Sequence, residues 1–324
     1  MSKLREIGNQ LYSGERSYGF VGRRKLWYVI GVLAVIAAIA LPILRGGFNF
    51  GIEFRGGSEF RLTNAQNISQ QVAVDVIQSI EPGVQVNVTT VGANDIRIQT
   101  EQLADEESEA ARLALAEAFG VPAEEVASSF IGPNWGADVT RQALIGLVVF
   151  LALVSLLMAF YFRSWKMSVA ALLALFHDLI LTAGIYAGVG FEVTPAAVIG
   201  FLTILSYSLY DTVVVFDKVR ENTLEVQYSE TRTFSEMVNL AVNQTLVRSV
   251  NTSVVAVLPV ASILFIGSVI LGAGTLRDIA LALFVGTIVG TYSSIFLAAP
   301  IYAHLRENEP ALREAREKVL ASRE

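Results

Sequence analysis

Residues 196–216 read AAVIGFLTILSYSLYDTVVVF, an apolar run of membrane-spanning length with one carboxylate, Asp211, inside it. A charge at such depth costs roughly 2.5 to 3.5 kcal/mol even on lenient insertion scales, so it calls for a partner, a water path or a proton. Outward from this run, five more stretches have the same character, at about 26–44, 142–162, 167–189, 249–271 and 279–303. Six spans put both termini on one side of a bilayer. Composition agrees, since 53% hydrophobic and 17% charged residues over 324 positions leave too little polar surface for an ordinary soluble domain.

The net charge of -6 is unevenly spread, with fourteen Asp or Glu between Glu53 and Asp138. Six basic residues precede the first span (Lys3, Arg5, Arg16, Arg23, Arg24 and Lys25), Arg163 and Lys166 follow the second, and Arg306, Arg313, Arg316, Lys318 and Arg323 occupy the tail. By the positive-inside rule, both termini and the loop 217–247 face the cytoplasm and the long region after the first span lies outside. The expected layout is a basic N-terminal segment 1–25, a first helix 26–44 retained as an anchor, an extracytoplasmic domain 45–138, five further helices within 139–303 and a cytoplasmic tail 304–324.

The outer region alternates between patterns of period two and period 3.6. Strands are predicted at 58–63, 84–91, 95–100 and 126–131, and helices at 67–80 and 105–119, with a hairpin around Gly92, Ala93 and Asn94. The order is βαββαβ, a ferredoxin-like arrangement. The fold class is therefore a six-helix membrane protein carrying an α+β domain between its first two helices. The domain's acidity is read as a solvated surface.

On the fourth span, Thr203, Tyr207, Tyr210, Asp211 and Val214 share one helix face, with Ser206 and Thr212 beside it. Such a polar stripe normally faces the bundle interior. The fifth span opens on Arg248 and continues a polar side through Asn251, Thr252 and Ser262, so Arg248 is the natural counter-charge for Asp211, at comparable depth in the cytoplasmic half. Two readings stand. A fixed ion pair would orient two helices, although buried pairs stabilise little relative to apolar packing. A pair that opens and closes would take up and release a proton, which makes a relay.

Other polar residues read more plainly. His177 and Asp178 on the third span could extend a proton path or sit near its inner third, solvated from the cytoplasm, and the second reading is preferred; Glu192 in the short outer turn is expected to be exposed. Gly184 with Gly188, and Gly286 with Gly290, make two small-xxx-small patterns that permit close helix contact. The sequence holds no cysteine and two histidines, His177 and His304, so no metal site or other cofactor is expected. It has no nucleotide-binding loop and no H-E-x-x-H or G-x-S-x-G motif. Work would have to draw on an ion gradient, worth about 2.3 kcal/mol per charge per 100 mV.

Three segments resemble the SecD/SecF family of protein-export membrane proteins, within the resistance-nodulation-division superfamily, on its SecF side. They are SYSLYDTVVVFDKVREN at 206–222, QTLVRSVNTS at 244–253 and NFGIEFRGGSEF at 49–60. The resemblance implies a proton relay at Asp211 and Arg248, with Tyr210, Tyr207, Thr212, Asn251 and Thr252 in support. Tyr210 stands where the family usually has Asn, and Glu53 where it has Asp. The implied protein sits in the bacterial cytoplasmic membrane and uses the proton motive force to promote preprotein translocation. Its implied partners are SecD, the Sec translocon channel, unfolded preprotein at the outer domain and membrane lipid, with no nucleic acid. No enzymatic activity is expected. The alternatives are an intramembrane aspartyl protease built on Asp211 and Asp178, although the G-x-G-D motif is missing, and a structural scaffold with a fixed ion pair.

Overall fold

The computed structural model describes residues 3–65, 69–91, 94–162, 164–224, 231–267 and 274–323. A short helix α1 (Lys3–Ser13) precedes α2 (Arg24–Leu44), which leads into strand β1 (Asn49–Phe50), the one-turn helix α3 (Ile52–Arg55) and then β2 (Gly57–Leu62), α4 (Gln70–Ile80), β3 (Val86–Val91), β4 (Asp95–Thr100), α5 (Asp105–Phe119) and β5 (Val126–Ile131). The chain then runs through α6 (Pro133–Phe162), α7 (Trp165–Val189), β6 (Glu192–Val193), α8 (Pro195–Thr223), α9 (Phe234–Ser262), α10 (Gly274–Ser293), α11 (Ala299–Arg306) and α12 (Pro310–Ala321). Six helices are long and apolar enough to cross a membrane: Arg24–Leu44, Asn134–Phe162, Trp165–Val189, Pro195–Thr223, Phe234–Ile266 and Leu276–Arg306.

Between the first two spans, the antiparallel sheet has the order β3-β4-β2-β5, with Phe60 opposite Ile98 and Ser128. Alternation decides its two faces. Phe60, Leu62, Ile96 and Ile98 are fully buried beneath Ala73 and Ile77 of α4 and Ala111, Leu115 and Phe119 of α5. The helices start on local signals: Ser69 Oγ accepts from the Val72 amide, and Glu107 accepts from the Ala104 amide. The opposite face of the sheet carries Glu59, Arg97 and Gln99 and turns toward the membrane helices.

Span boundaries depart from the sequence expectation at two places. Helix α6 begins at Pro133, inside the segment assigned to the outer domain, because Gly136 lets the Phe54 carbonyl of α3 approach where a Cβ would stand. The fifth helix begins at Phe234, fifteen residues before the expected 249. Thr233 and Glu236 cap it reciprocally, and the polar residues of its first turns are satisfied by the N-terminal segment: Asn239 accepts from the Phe20 amide and Asn243 from the Tyr18 amide, both at 2.8 Å. The expected long cytoplasmic loop is therefore mostly helix. Gly92, Ala93, Asn67, Arg163 and the end of the expected fifth span, 268–271, lie outside the described residues.

Both small-xxx-small patterns sit at helix crossings. A Cβ on Gly184 or Gly188 would meet Ala38 or Leu41 of α2, and one on Gly286 or Gly290 would meet Ile204 or Ser208 of α8. The second crossing brings α8 and α10 together beside Asp211.

Candidate functional site

Asp211 lies sixteen residues into α8, about 24 Å from its start at 1.5 Å per residue, and Arg248 fourteen residues into α9, about 21 Å. Asp211 thus lies toward the end of α8 that faces the start of α9, where Arg248 and Ser249 stand beside it. The Asp211 carboxylate is 7% exposed, and its Oδ1 accepts from Ser249 Oγ at 2.7 Å. Its Oδ2 is buried without a hydrogen-bond partner among the described residues, and Ser294 is a second, weaker polar neighbour outside hydrogen-bonding geometry.

The expected ion pair is not made. Arg248 is not within 4 Å of the Asp211 carboxylate and donates from Nη2 to the Tyr210 hydroxyl at 3.4 Å. A neutral serine on the next residue takes the place expected of the guanidinium. Tyr210 is 54% exposed, and Arg248, Asn251, Thr203 and Ser206 are exposed with it. The polar stripe of the fourth span is therefore split. Asp211 and Thr212 face inward, Thr212 Oγ1 meeting Ser294 Oγ at 3.1 Å, while Tyr210 faces out and Tyr207 is half-buried, its hydroxyl without a hydrogen-bond partner among the described residues. Thr252 turns its hydroxyl back to the Arg248 carbonyl at 2.8 Å.

The third span holds a second buried carboxylate. Asp178 is 2% exposed, not solvated from the cytoplasm as its sequence context suggested, and its Oδ2 accepts from Ser208 Oγ at 2.5 Å and Ser293 Oγ at 2.7 Å. His177 Nδ1 lies 3.4 Å from Oδ1. Immediately after Ser293 the last span widens into a stretch of i to i+5 hydrogen bonding over Ser294–Ala298, a departure that often marks functional sites in helices. It turns two consecutive serines to different neighbours, Ser293 to Asp178 and Ser294 to Thr212. No motif in the sequence announces Ser208, Ser249, Ser293 or Ser294 as partners, because serines are common in membrane helices and only the tertiary crossings select these.

At the outer-domain end, Glu192 was expected to be exposed and is instead mostly buried in a cluster around Arg97. The guanidinium contacts Glu59 at 2.6 Å, Glu192 at 2.8 Å and Glu53 at 3.6 Å, and Gln99 donates to Glu192 at 2.7 Å. Burial pushes the Glu192 carboxyl above its ordinary value, against the opposing pull of Arg97. Beside it, β1 and β6 pair in parallel, Asn49 with Glu192 and Phe50 with Val193. Part of the domain's acidity is therefore used to fasten it to the turn between α7 and α8.

A family model for the protein export membrane protein SecD/SecF, C-terminal, matches residues 113–308, and one for the SecD/SecF GG motif matches residues 43–63. The protein translocase subunit SecF of Streptomyces coelicolor is 46% identical over 324 residues, 100% of this chain and 86% of its own length. That of Mycobacterium tuberculosis is 43% identical over 97% of this chain and 73% of its own length. The crystal structure of SecDF, a translocon-associated membrane protein from Thermus thermophilus, superposes with a TM-score of 0.75 at 30% identity, covering 90% of this chain and 39% of that one. With its full length aligned to a SecF subunit and both family segments in place, the chain belongs to the SecD/SecF family of protein export membrane proteins, as a SecF member.

Proposed function

We propose that this chain uses the proton motive force to promote preprotein translocation across the bacterial cytoplasmic membrane, with both termini cytoplasmic and in complex with SecD beside the Sec channel. The observation that carries the reading is the state of Asp211: a buried carboxylate held by a neutral hydroxyl on one oxygen, while the one arginine near it stands off on Tyr210. An ion pair made only for stability would be closed here. A site that trades its counter-charge for a proton needs an arrangement of this kind. Asp211 is the proton-carrying group, Arg248 the counter-charge it meets in another state, and Tyr210, Tyr207, Thr212, Asn251 and Thr252 line the path.

The exposed polar face of α8 and α9 gives the partner its place. Thr203, Ser206, Tyr210, Arg248 and Asn251 are expensive against lipid, and six further spans from SecD would cover them. The SecDF relative carries both parts in one chain, of which this chain matches about two fifths. The outer βαββαβ unit is a ferredoxin-like module on the side where translocated polypeptide emerges, and we assign it the contact with unfolded preprotein.

In the reconstituted complex, Asp211→Asn should abolish gradient-stimulated export while membrane insertion and association with SecD persist. Full stimulation in that variant overturns the assignment.

A further inference from the structure

Asp178 answers to nothing in the function proposed above, yet it is more deeply buried than Asp211. Ser208, its donor on α8, stands three residues before Asp211, so the two carboxylates are offset by about 4.5 Å along the helix axis at 1.5 Å per residue. The offset has a direction. Helix α8 starts at the β6 turn that pairs with β1 of the outer domain, which places Asp178 one turn nearer that domain than Asp211.

Hydroxyls line the space between the two without forming an unbroken hydrogen-bonded chain among the described residues. Ser208 and Thr212 are one turn apart on α8, Thr212 meets Ser294, and Ser294 and Ser293 share the Gly290 carbonyl at 2.7 and 3.1 Å. The ladder exists because Gly290 has no side chain; a Cβ there would stand 2.8 Å from that of Ser208. Around it, Thr182 Oγ1, Tyr292 Oη and His177 Nε2 are buried without hydrogen-bond partners among the described residues.

The composition of the cage decides what it can hold. A serine hydroxyl donates to a carboxylate and equally accepts from a carboxylic acid, whereas an arginine can only donate. Among the described residues, neither Asp178 nor Asp211 is paired with an arginine or lysine, so each sits in a shell that tolerates both protonation states. The titratable groups facing Asp178 are His177 on its own helix, Tyr292 on the last span, whose ring lies 6.0 Å from that of His177, and Asp211 beyond the ladder on α8. No group of three or more His, Asp or Glu side chains that could hold a metal ion occurs among the described residues.

We infer that Asp178 is a second proton-binding site, which holds the transported proton on the outer-domain side before Asp211 receives it. This rests on the relay reading of Asp211. In the transfer, one O–H bond breaks at the Asp178 carboxyl and one forms at the Asp211 carboxylate. The proton lost at Asp178 is the one gained at Asp211, carried by water or by hydroxyl rotation over the breaks in the ladder at the Gly290 carbonyl and between Ser294 and Asp211, and no electron changes hands. His177 positions the outer carboxyl oxygen.

The test uses the full chain with its SecD partner in vesicles, with proton uptake under an imposed pH gradient read by an internal dye. Asp178→Asn should reduce uptake at least tenfold, as Asp211→Asn does, with assembly unchanged, and Asp178→Glu should restore part of it. Wild-type uptake in Asp178→Asn beside a silent Asp211→Asn overturns this inference and leaves the proposed function standing; wild-type uptake in both overturns the proposed function itself. Uptake that follows a sodium gradient instead overturns the proton assignment. Should Asp178→Asn fail to assemble, the Ser208→Ala, Ser293→Ala double variant decides, because it keeps the carboxylate and removes both hydroxyls. A tenfold loss in it supports the inference and unchanged uptake refutes it.

Discussion

Replacing Arg97 with methionine should release the outer domain from the turn between α7 and α8 near neutral pH and let it redock in acid. Among the described residues, Arg97 is the one cation within 4 Å of Glu53, Glu59 and Glu192, and its removal leaves three carboxylates facing one another. Breaking a fully buried pair from one side costs about 3–5 kcal/mol. With the Arg97 side chain 20% exposed, solvent screening brings this down to about 2–3 kcal/mol, roughly 30- to 150-fold in the docked population. Glu192 sets the pH dependence. Its docked-state pKa is raised above 4.5, chiefly by burial, so its contribution to docking is fully present below 4.5 and is lost as pH rises through the raised value. Loss of the Arg97 charge raises that value further and widens the window toward neutrality. Spin-label distances between α5 and α8 in the full-length complex would lengthen or broaden in Arg97→Met at neutral pH and return to the wild-type distribution in mild acid. A distribution that is unchanged, or that tightens as pH rises, would refute the reasoning.

Three further outcomes are expected. Arg24 grips Glu307 with two hydrogen bonds of 2.6 and 2.7 Å; burial pushes the Glu307 carboxyl up, but that grip more than offsets it and the net shift is downward from 4.5. The sign is opposite to that of Glu192: the contribution is present above 4.5 and fades as pH falls through the lowered value, so Glu307→Gln should cost about 1 kcal/mol in thermal unfolding near neutrality and nothing in strong acid. Gly290→Val should lower the unfolding midpoint by an overpacking cost of about 1–3 kcal/mol, while Gly146→Val, which has nothing within 4 Å, should leave it unchanged. Ser249→Ala removes the hydrogen bond to Asp211 at a cost of about 1–3 kcal/mol and should suppress gradient-driven export, whereas Ser249→Thr, which keeps the hydroxyl, should retain it.

Periodicity made the six spans and most strands of the outer domain legible, because each is decided by its own residues. The carboxylate in the fourth span was equally visible, since a charge in an apolar run stands out wherever its partners are. Its partners were not. Arg248 was chosen because opposite charges attract, but the residue that reaches Asp211 is the serine one position on, and 100° of helix rotation separates the two choices. Asp178 was read as solvated near the inner third of its span; one serine from each of two other helices buries it, and only the tertiary crossing at Gly290 brings them there. Glu192 was misread for the same reason, since its burial depends on a strand about a hundred residues earlier.

Asp178, Asp211 and Glu192 belong to one continuous structure. Helix α7 carries Asp178, α8 carries Asp211, and the turn that joins them carries Glu192, which Arg97 fastens to the sheet of the outer domain. Closely packed helices rearrange between discrete positions more readily than they deform, so a change of charge between α7 and α8 is relieved by movement of one helix against the other. Such a movement displaces their shared turn. The turn has no slack to absorb it: five residues separate the two helices, two of them are paired to β1, and one is gripped by Arg97 and Gln99. The outer domain must then follow the turn or break its contact with it. Arg97→Met separates these cases, because it should leave proton uptake intact in the vesicle assay while uncoupling it from export. Loss of uptake together with export would place Arg97 in the proton path and remove the turn as the point of transmission.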